Sequence, residues 1–339
     1  MCGKTSTKDI IASVLSQKYN VLKTEGNFNN HIGLPLTLLK LKDHTAVVVE
    51  MGMNHFGEIS VLTNIAKPTM CVITNIGTAH IGNLGSRENI LKAKLEILEG
   101  LSENGFVLIN NDNDLLNSWA KNQNKYNVKT YGIENMSDFI VKEIVQSEIS
   151  SSFKINDTNL NVPVAGLHFI YNAACAFAIG SILGIEKEKI VKGISEFKLT
   201  SKRMEIENLD NDIRVINDSY NASYDSMKAA LEVLGRTNAN RRIAVLGNML
   251  ELGEYSKELH EKVGEEVVKN NIDILITVGN YAKEIARKAR KIGMKEIYEF
   301  ENIVDAAKYL KNIIKSDDLI LLKASNFMNF SKILEMLKK

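Results

Sequence analysis

The sequence predicts an α/β fold of two doubly wound units that meet near residue 200. Three observations predict it. Short β-rich runs alternate with helix-period segments from the start of the chain, an order that gives a mostly parallel sheet with helices on both faces. Periodicity lapses around Leu199-Thr200-Ser201-Lys202, and a fresh alternation of strands with helices follows, as in a second doubly wound unit. A length of 339 residues favours two domains over one.

In the first unit, residues 1–200, a helix is expected at about 8–17, a strand at 20–24, a helix at 34–41 and a strand at 46–50. A helix at 57–66, a strand at 70–75, a helix at 88–101, a strand at 106–110 and a helix at 114–122 follow. From 138 to 164 the pattern changes to short alternating strands such as Phe153-Lys154-Ile155 and Leu160-Asn161-Val162, which predicts a small antiparallel sheet. The Ala-rich stretch at 168–183 reads as a helix, and 187–196 as another. In the second unit, residues 201–339, strands are expected at 214–217, 242–246, 272–278, 296–300 and 319–323, with helices between them.

A composition of 45% apolar and 24% charged residues is ordinary for a globular chain, and a net charge of +1 gives no electrostatic reason for a nucleic-acid or membrane partner. Small anionic ligands held locally fit better. Three widely spaced cysteines, Cys2, Cys71 and Cys175, argue against a disulfide framework or a Cys-based zinc site and for a reducing cytoplasm. No apolar run reaches the roughly 18 residues of a membrane span, and no signal-peptide pattern stands at the start.

Met1-Cys2-Gly3-Lys4-Thr5-Ser6-Thr7-Lys8 has the form of the second half of a phosphate-binding loop. In such a loop glycine lets backbone N–H groups face phosphate oxygens, Lys adds a cation and the Thr hydroxyl reaches magnesium. A plain helix N-terminus is the competing reading. Two features favour the loop: a helix follows, with its dipole toward the phosphates, and the apolar run at 45–49 ends in Glu50, where a parallel strand delivers a carboxylate to a nucleotide-bound magnesium. The loop's leading half and its feeding strand would lie before Met1, so the chain is expected to be truncated.

Other polar loops follow strands. Residues 24–33 pack Asn27, Asn29 and Asn30 with two glycines, either as a turn or as a ligand cradle. Residues 74–80 end in His80, placed for a second metal or a phosphate, or for a structural role. Lys94 lies on a helix and reads as a surface cation unless something faces it. Residues 217–223 and 246–253 follow two strands of the second unit. Such loops hold either N-caps or the crevice in which open α/β sheets bind ligands.

Three stretches together resemble the Mur ligase family: residues 26–35 (Gly-Asn-Phe-Asn-Asn-His-Ile-Gly-Leu-Pro), 50–59 (Glu-Met-Gly-Met-Asn-His-Phe-Gly-Glu-Ile) and 217–223 (Asn-Asp-Ser-Tyr-Asn-Ala-Ser). The resemblance spans essentially the whole chain. It implies a central P-loop ATP-binding domain followed by a C-terminal Rossmann-like domain, with the nucleotide between them. The family's N-terminal domain, which holds the UDP end of the substrate, is expected to be missing from this stretch, and whether a separate chain supplies it as a partner stays open.

The activity implied is ATP- and Mg2+-dependent joining of D-alanyl-D-alanine to a UDP-N-acetylmuramoyl tripeptide through an acyl phosphate. Carried over residue by residue, Gly3, Lys4, Thr5 and Ser6 cradle phosphates; Thr5 and Glu50 hold one magnesium and His80 a second. Lys94 matches a lysine that related ligases carry as a carbamate, a further metal ligand. Asn172 matches an adenine contact, and Arg203 and Asp218 reach ribose and phosphates. Asn27, Asn29, Asn30 and His55, with Tyr220 and Asn221, wall the peptide substrate. Departures are Met1 for Ser, Phe169 for Asn, Tyr224 for Pro, Asn248 for Asp and Asn326 for Arg. With half a loop, the chain is expected to bind ATP weakly and ligate slowly or not at all. The alternatives are an inactive ATP-binding or partner module and a ligase for another amine; the Asn-rich loop favours the muramoyl branch over the latter.

Overall fold

In a computed structural model, which describes residues 3–338, the first element is helix α1 (Lys4–Leu15). It starts four residues ahead of the expected position because Thr5, Ser6 and Thr7, polar in sequence, are buried. The helix lies deep against α7 (Leu167–Ile182) and α8 (Lys187–Ser195), and a Cβ at Gly193 would come 2.6 Å from the Val14 Cα. Only glycine allows so close an approach. Burial of Lys8 and Asp9 within α1 is compensated by partners. Lys8 Nζ donates to the Thr24 carbonyl at 2.8 Å, and the Asp9 carboxylate accepts from Lys23 at 2.7 Å and Thr200 at 2.5 Å.

The chain divides into two compact units, one running to Thr200 and the other beginning at Ser201. In the first, β1 (Val21–Lys23) and β2 (Ala46–Val48) form a parallel two-stranded ladder. A separate six-stranded sheet runs in sequence order through β3 (Met70–Ile73), β4 (Phe106–Asn110), β5 (Asn127–Gly132), β6 (Phe139–Gln146), β7 (Ser151–Ile155) and β8 (Thr158–Val162). The one parallel sheet expected for the strands between residues 20 and 110 is therefore split in two. Among the described residues no strand bridges β2 to β3, and Val47 on β2 stays 38% exposed.

The antiparallel sheet expected at 138–164 is not free-standing either. Its strands β6–β8 continue the parallel β3–β6 ladder, because β6 pairs in parallel with the unexpected strand β5. Helices α2 (Gly33–Leu38), α3 (Glu58–Ala66), α4 (Ile81–Leu84), α5 (Arg87–Leu95) and α6 (Asp114–Lys121) connect the strands. The helix expected at 88–101 stops at Leu95 and tightens into a 3-10 turn, Glu96–Gly100. The packing requires it: a Cβ at Gly100 would stand 2.2 Å from the Thr63 carbonyl oxygen on α3.

The second unit is one six-stranded sheet of β9 (Glu205–Asn208), β10 (Arg214–Asn217), β11 (Arg241–Gly247), β12 (Ile274–Val278), β13 (Ile297–Phe300) and β14 (Asp318–Lys323), ordered β13-β12-β11-β14-β10-β9. All neighbours are parallel except β9, a short, charged edge strand, the kind that resists further pairing. Helices α9 (Tyr224–Arg236), α10 (Ser256–Lys269), α11 (Lys283–Lys291), α12 (Ile303–Ile313) and α13 (Ser331–Leu337) complete the unit. β14, buried at every position, lies between β10 and β11. The loops after these three adjacent parallel strands thus share one edge, at the carboxyl ends where open α/β sheets bind ligands.

The loop after β11 is pinned by His260, which is fully buried on α10. Its Nε2 accepts the Met249 N–H at 2.9 Å and its Nδ1–H donates to the Ser256 carbonyl at 2.6 Å, a pairing that fixes the neutral tautomer. Burial, opposed by the Ser256 carbonyl, holds its pKa below the ordinary 6.5. The unfolded chain therefore takes up a proton at a higher pH than the folded one. Stability is full above the unfolded value and falls as pH drops below it. Urea midpoints measured from pH 8 to 5 are expected to show this loss, and His260→Gln to flatten it. His260→Ala, which strands the Met249 N–H, should cost about 1–3 kcal/mol at neutral pH.

Candidate functional site

The start of α1 is shaped by Gly3, which caps the helix in the left-handed region at φ 94°. A side chain there would be strained, and its Cβ would fall 3.0 Å from the Asn172 Oδ1. Asn172, on α7, accepts the Thr7 hydroxyl at 3.0 Å, while its own Nδ2 is buried without an acceptor among the described residues. An unsatisfied buried donor beside a helix N-terminus, whose first N–H groups also lack intrahelical partners, suits an acceptor-rich ligand. Met1 and Cys2, the rest of the expected loop, lie outside the described residues.

Lys4 points from this helix start to the turn after β2, where its Nζ donates to the Met51 carbonyl at 3.0 Å. Glu50 belongs to the same turn and is only 6% exposed. Its N–H is held by the Thr24 hydroxyl at 2.9 Å, and its Oε1 accepts the Asn29 amide at 2.9 Å. Oε2 is buried with no hydrogen-bond partner among the described residues. A buried carboxylate oxygen left bare is costly unless a cation or donor meets it. Its hard oxygen fits magnesium.

Among the described residues no three His, Cys, Asp or Glu side chains are grouped to hold a metal by themselves. Magnesium does not need such a cage, since it keeps several waters and takes the rest of its shell from one or two carboxylates and substrate phosphates. His80 is buried in a left-handed conformation, φ 65°, as the residue that opens α4. Lys94, on α5, donates to the Asn75 carbonyl just after β3. The hydrogen bonds thus gather Lys4, Asn29 and Glu50 at one turn, and Lys94 with the segment that leads to His80.

The expected substrate walls divide. Asn27 is exposed, and His55 is exposed beside Glu58, with Nδ1 3.4 Å from the carboxylate. Asn30 is used locally: its Oδ1 accepts the Ile32 and Gly33 N–H groups at 3.1 and 2.8 Å, closing a turn into α2.

In the second unit, Asp218 follows β10 and meets Lys323, the last residue of β14. Lys323 is 1% exposed. Its ammonium donates to the Asp218 carboxylate, to the Asp218 carbonyl at 3.4 Å and to the Asn221 carbonyl at 3.1 Å. The other Asp218 oxygen accepts the Met204 N–H at 3.2 Å. Arg203 stacks on the Tyr220 ring, 4.0 Å from its centroid. Asn248 turns inward and accepts the Ala282 N–H at 2.9 Å, whereas Asn326 is exposed. Sequence reasoning gave Lys323 no role, although a lysine closing the apolar run Leu319–Leu322 is a legible signal.

Residues 2–180 match the Mur ligase middle domain, and residues 202–326 the Mur ligase glutamate ligase domain. The UDP-N-acetylmuramoyl-tripeptide–D-alanyl-D-alanine ligase of Bacillus subtilis is 40% identical over 340 residues, covering 98% of this chain and 73% of that protein. Among solved structures, MurF from Acinetobacter baumannii superposes with a TM-score of 0.92 at 30% identity, over 99% of this chain and 74% of its own. MurF ligase from Thermotoga maritima, solved with ADP, gives 0.88 at 30% identity, over 99% and 77%.

Proposed function

The chain belongs to the Mur ligase family, and from that premise we propose that it performs ATP-dependent ligation of D-alanyl-D-alanine to a UDP-N-acetylmuramoyl tripeptide. The observation that carries the reading is the turn after β2, where Lys4 reaches the Met51 carbonyl, next in sequence to the buried Glu50, whose Oε2 has no hydrogen-bond partner among the described residues. A phosphate cation and a metal carboxylate have to be adjacent for ATP chemistry. The likeness to D-alanyl-D-alanine ligases over nearly the whole chain supports the substrate pair.

In the proposed reaction the terminal carboxylate of the tripeptide attacks the γ-phosphorus of ATP, the bond to the β-phosphate oxygen breaks and ADP leaves. The amine of D-alanyl-D-alanine then attacks the acyl carbon, inorganic phosphate departs and the amine loses a proton. Backbone N–H groups at Gly3 to Ser6 and the Lys4 ammonium hold the phosphates in line. Thr5 and Glu50 would hold one magnesium and His80 a second, with Lys94 as a further ligand if carbamylated. When bound, magnesium neutralises charge on the phosphates.

Asn172 is assigned to adenine through its spare Nδ2, and Arg203 and Asp218 to ribose and phosphates. Asn27, Asn30, His55, Tyr220 and Asn221 are assigned to the muramoyl peptide and its acceptor. A cytoplasmic location accords with Cys71 and Cys175, which are buried free thiols. Among the described residues no helix is long and apolar enough to cross a membrane.

The test is phosphate release from ATP. Release that requires both UDP-N-acetylmuramoyl tripeptide and D-alanyl-D-alanine, however slow, is the expected result. Release supported by another amine but not by D-alanyl-D-alanine would overturn the substrate assignment.

A further inference from the structure

The three asparagines of residues 27–30 do three different things, and Asn29 is the one that turns toward the chemistry. Its Nδ2 donates to the Glu50 Oε1 at 2.9 Å, and its backbone carbonyl accepts the Gly52 N–H at 2.7 Å. One residue therefore grips the turn at both ends. The fit is close: a Cβ at Gly52 would stand 2.9 Å from the Asn29 Oδ1.

We propose that Asn29 is a positioning residue for the cation site, orienting the Glu50 carboxylate so that Oε1 is occupied and Oε2 alone is presented. The inference rests on the reading of Glu50 as a metal ligand. Without the amide, the carboxylate would be free to rotate about its last bond and present either oxygen or both. The donor's chemistry matters too. A neutral amide satisfies one oxygen and leaves the negative charge intact, whereas Lys or Arg in its place would neutralise Glu50 and compete with the cation. Outer partners of this kind typically change metal affinity by about 10- to 100-fold when removed. The proposal moves Asn29 from the peptide wall, where the family resemblance alone would put it, to the support of Glu50.

The experiment is titration of the protein with Mn2+ in the presence of a non-hydrolysable ATP analogue, followed by electron paramagnetic resonance. Glu50→Gln is the reference variant, and circular dichroism checks that each variant is folded. Asn29→Ala is expected to weaken Mn2+ binding by about tenfold or more and to leave the KM for the UDP-linked peptide within twofold. Gly52→Ala, which retains the amide but pushes it aside, is expected to weaken Mn2+ binding in the same direction, and it is the variant to read if Asn29→Ala does not fold. If Glu50→Gln abolishes Mn2+ binding while Asn29→Ala and Gly52→Ala bind as the parent does, the positioning role is wrong. A raised KM for the UDP-linked peptide with unchanged Mn2+ affinity would return Asn29 to the substrate wall. Unchanged Mn2+ binding in Glu50→Gln itself would remove the metal reading on which the inference stands.

Discussion

Lys4→Met is expected to lower ATP-dependent phosphate release by about 10²- to 10³-fold, the loss typical when one preorganised group facing developing charge is removed. In the structure the Lys4 ammonium rests on the Met51 carbonyl at 3.0 Å, one residue from Glu50. A phosphate oxygen is a better partner than a neutral carbonyl, so nucleotide binding is expected to draw the ammonium onto the phosphates. Loss of the bond to the Met51 carbonyl costs the fold little, about 1 kcal/mol. The thermal midpoint should therefore barely move while turnover collapses. Lys4→Arg should not restore the rate, because a planar fork does not replace a compact ammonium at the start of a helix. Parallel measurement of phosphate release and thermal melting checks both statements, and parental turnover in Lys4→Met would exclude the phosphate role.

Lys323→Met is expected to destabilise the second unit by about 3–5 kcal/mol, the usual result of removing one partner from a buried ion pair. The methionine fills the same space, so the effect isolates the charge. Two carbonyls, those of Asp218 and Asn221, lose this donor, and the Asp218 carboxylate, whose side chain is 14% exposed, keeps among the described residues the Met204 N–H. Domains have only about 5–15 kcal/mol to lose. Adding Asp218→Asn removes the stranded charge and should recover much of the stability, since a buried pair contributes little over a neutral replacement. Urea unfolding of the two variants and the parent measures this directly. A loss below about 1 kcal/mol in Lys323→Met would show the pair to be screened as a surface pair is.

The α/β class was legible because the parallel strands are concentrated apolar runs. Residues 106–110 and 214–217 read as strands and fold as β4 and β10. β5 was not legible: Asn127, Lys129 and Thr130 dilute it, and its place comes from β4 and β6 on either side. β9, with two glutamates in four residues, was missed for the same reason. At the candidate site, residue types alone suggest that Gly3, Lys4, Thr5 and Glu50 face an anion and its cation. What a sequence does not give is which polar groups meet across distance in the chain. The bond between Asn29 and Glu50, and that between Asp218 and Lys323, appear only once the strands have brought their ends together. Asn248 shows the reverse, since a residue that reads as a change at a substrate loop is spent on the Ala282 N–H.

The place of β14 between β10 and β11 governs how the second unit can assemble. The sheet's two halves, β9–β10 and β11–β13, meet only through β14, and Lys323 reaches back to Asp218 over 105 residues. Loops of that span close slowly. During synthesis β10 and β11 both wait with open edges until β14 leaves the ribosome, and open parallel edges invite aggregation. Completion of this sheet is therefore expected to wait on β14, and its dependence on chaperones should be set by how quickly that one strand is delivered.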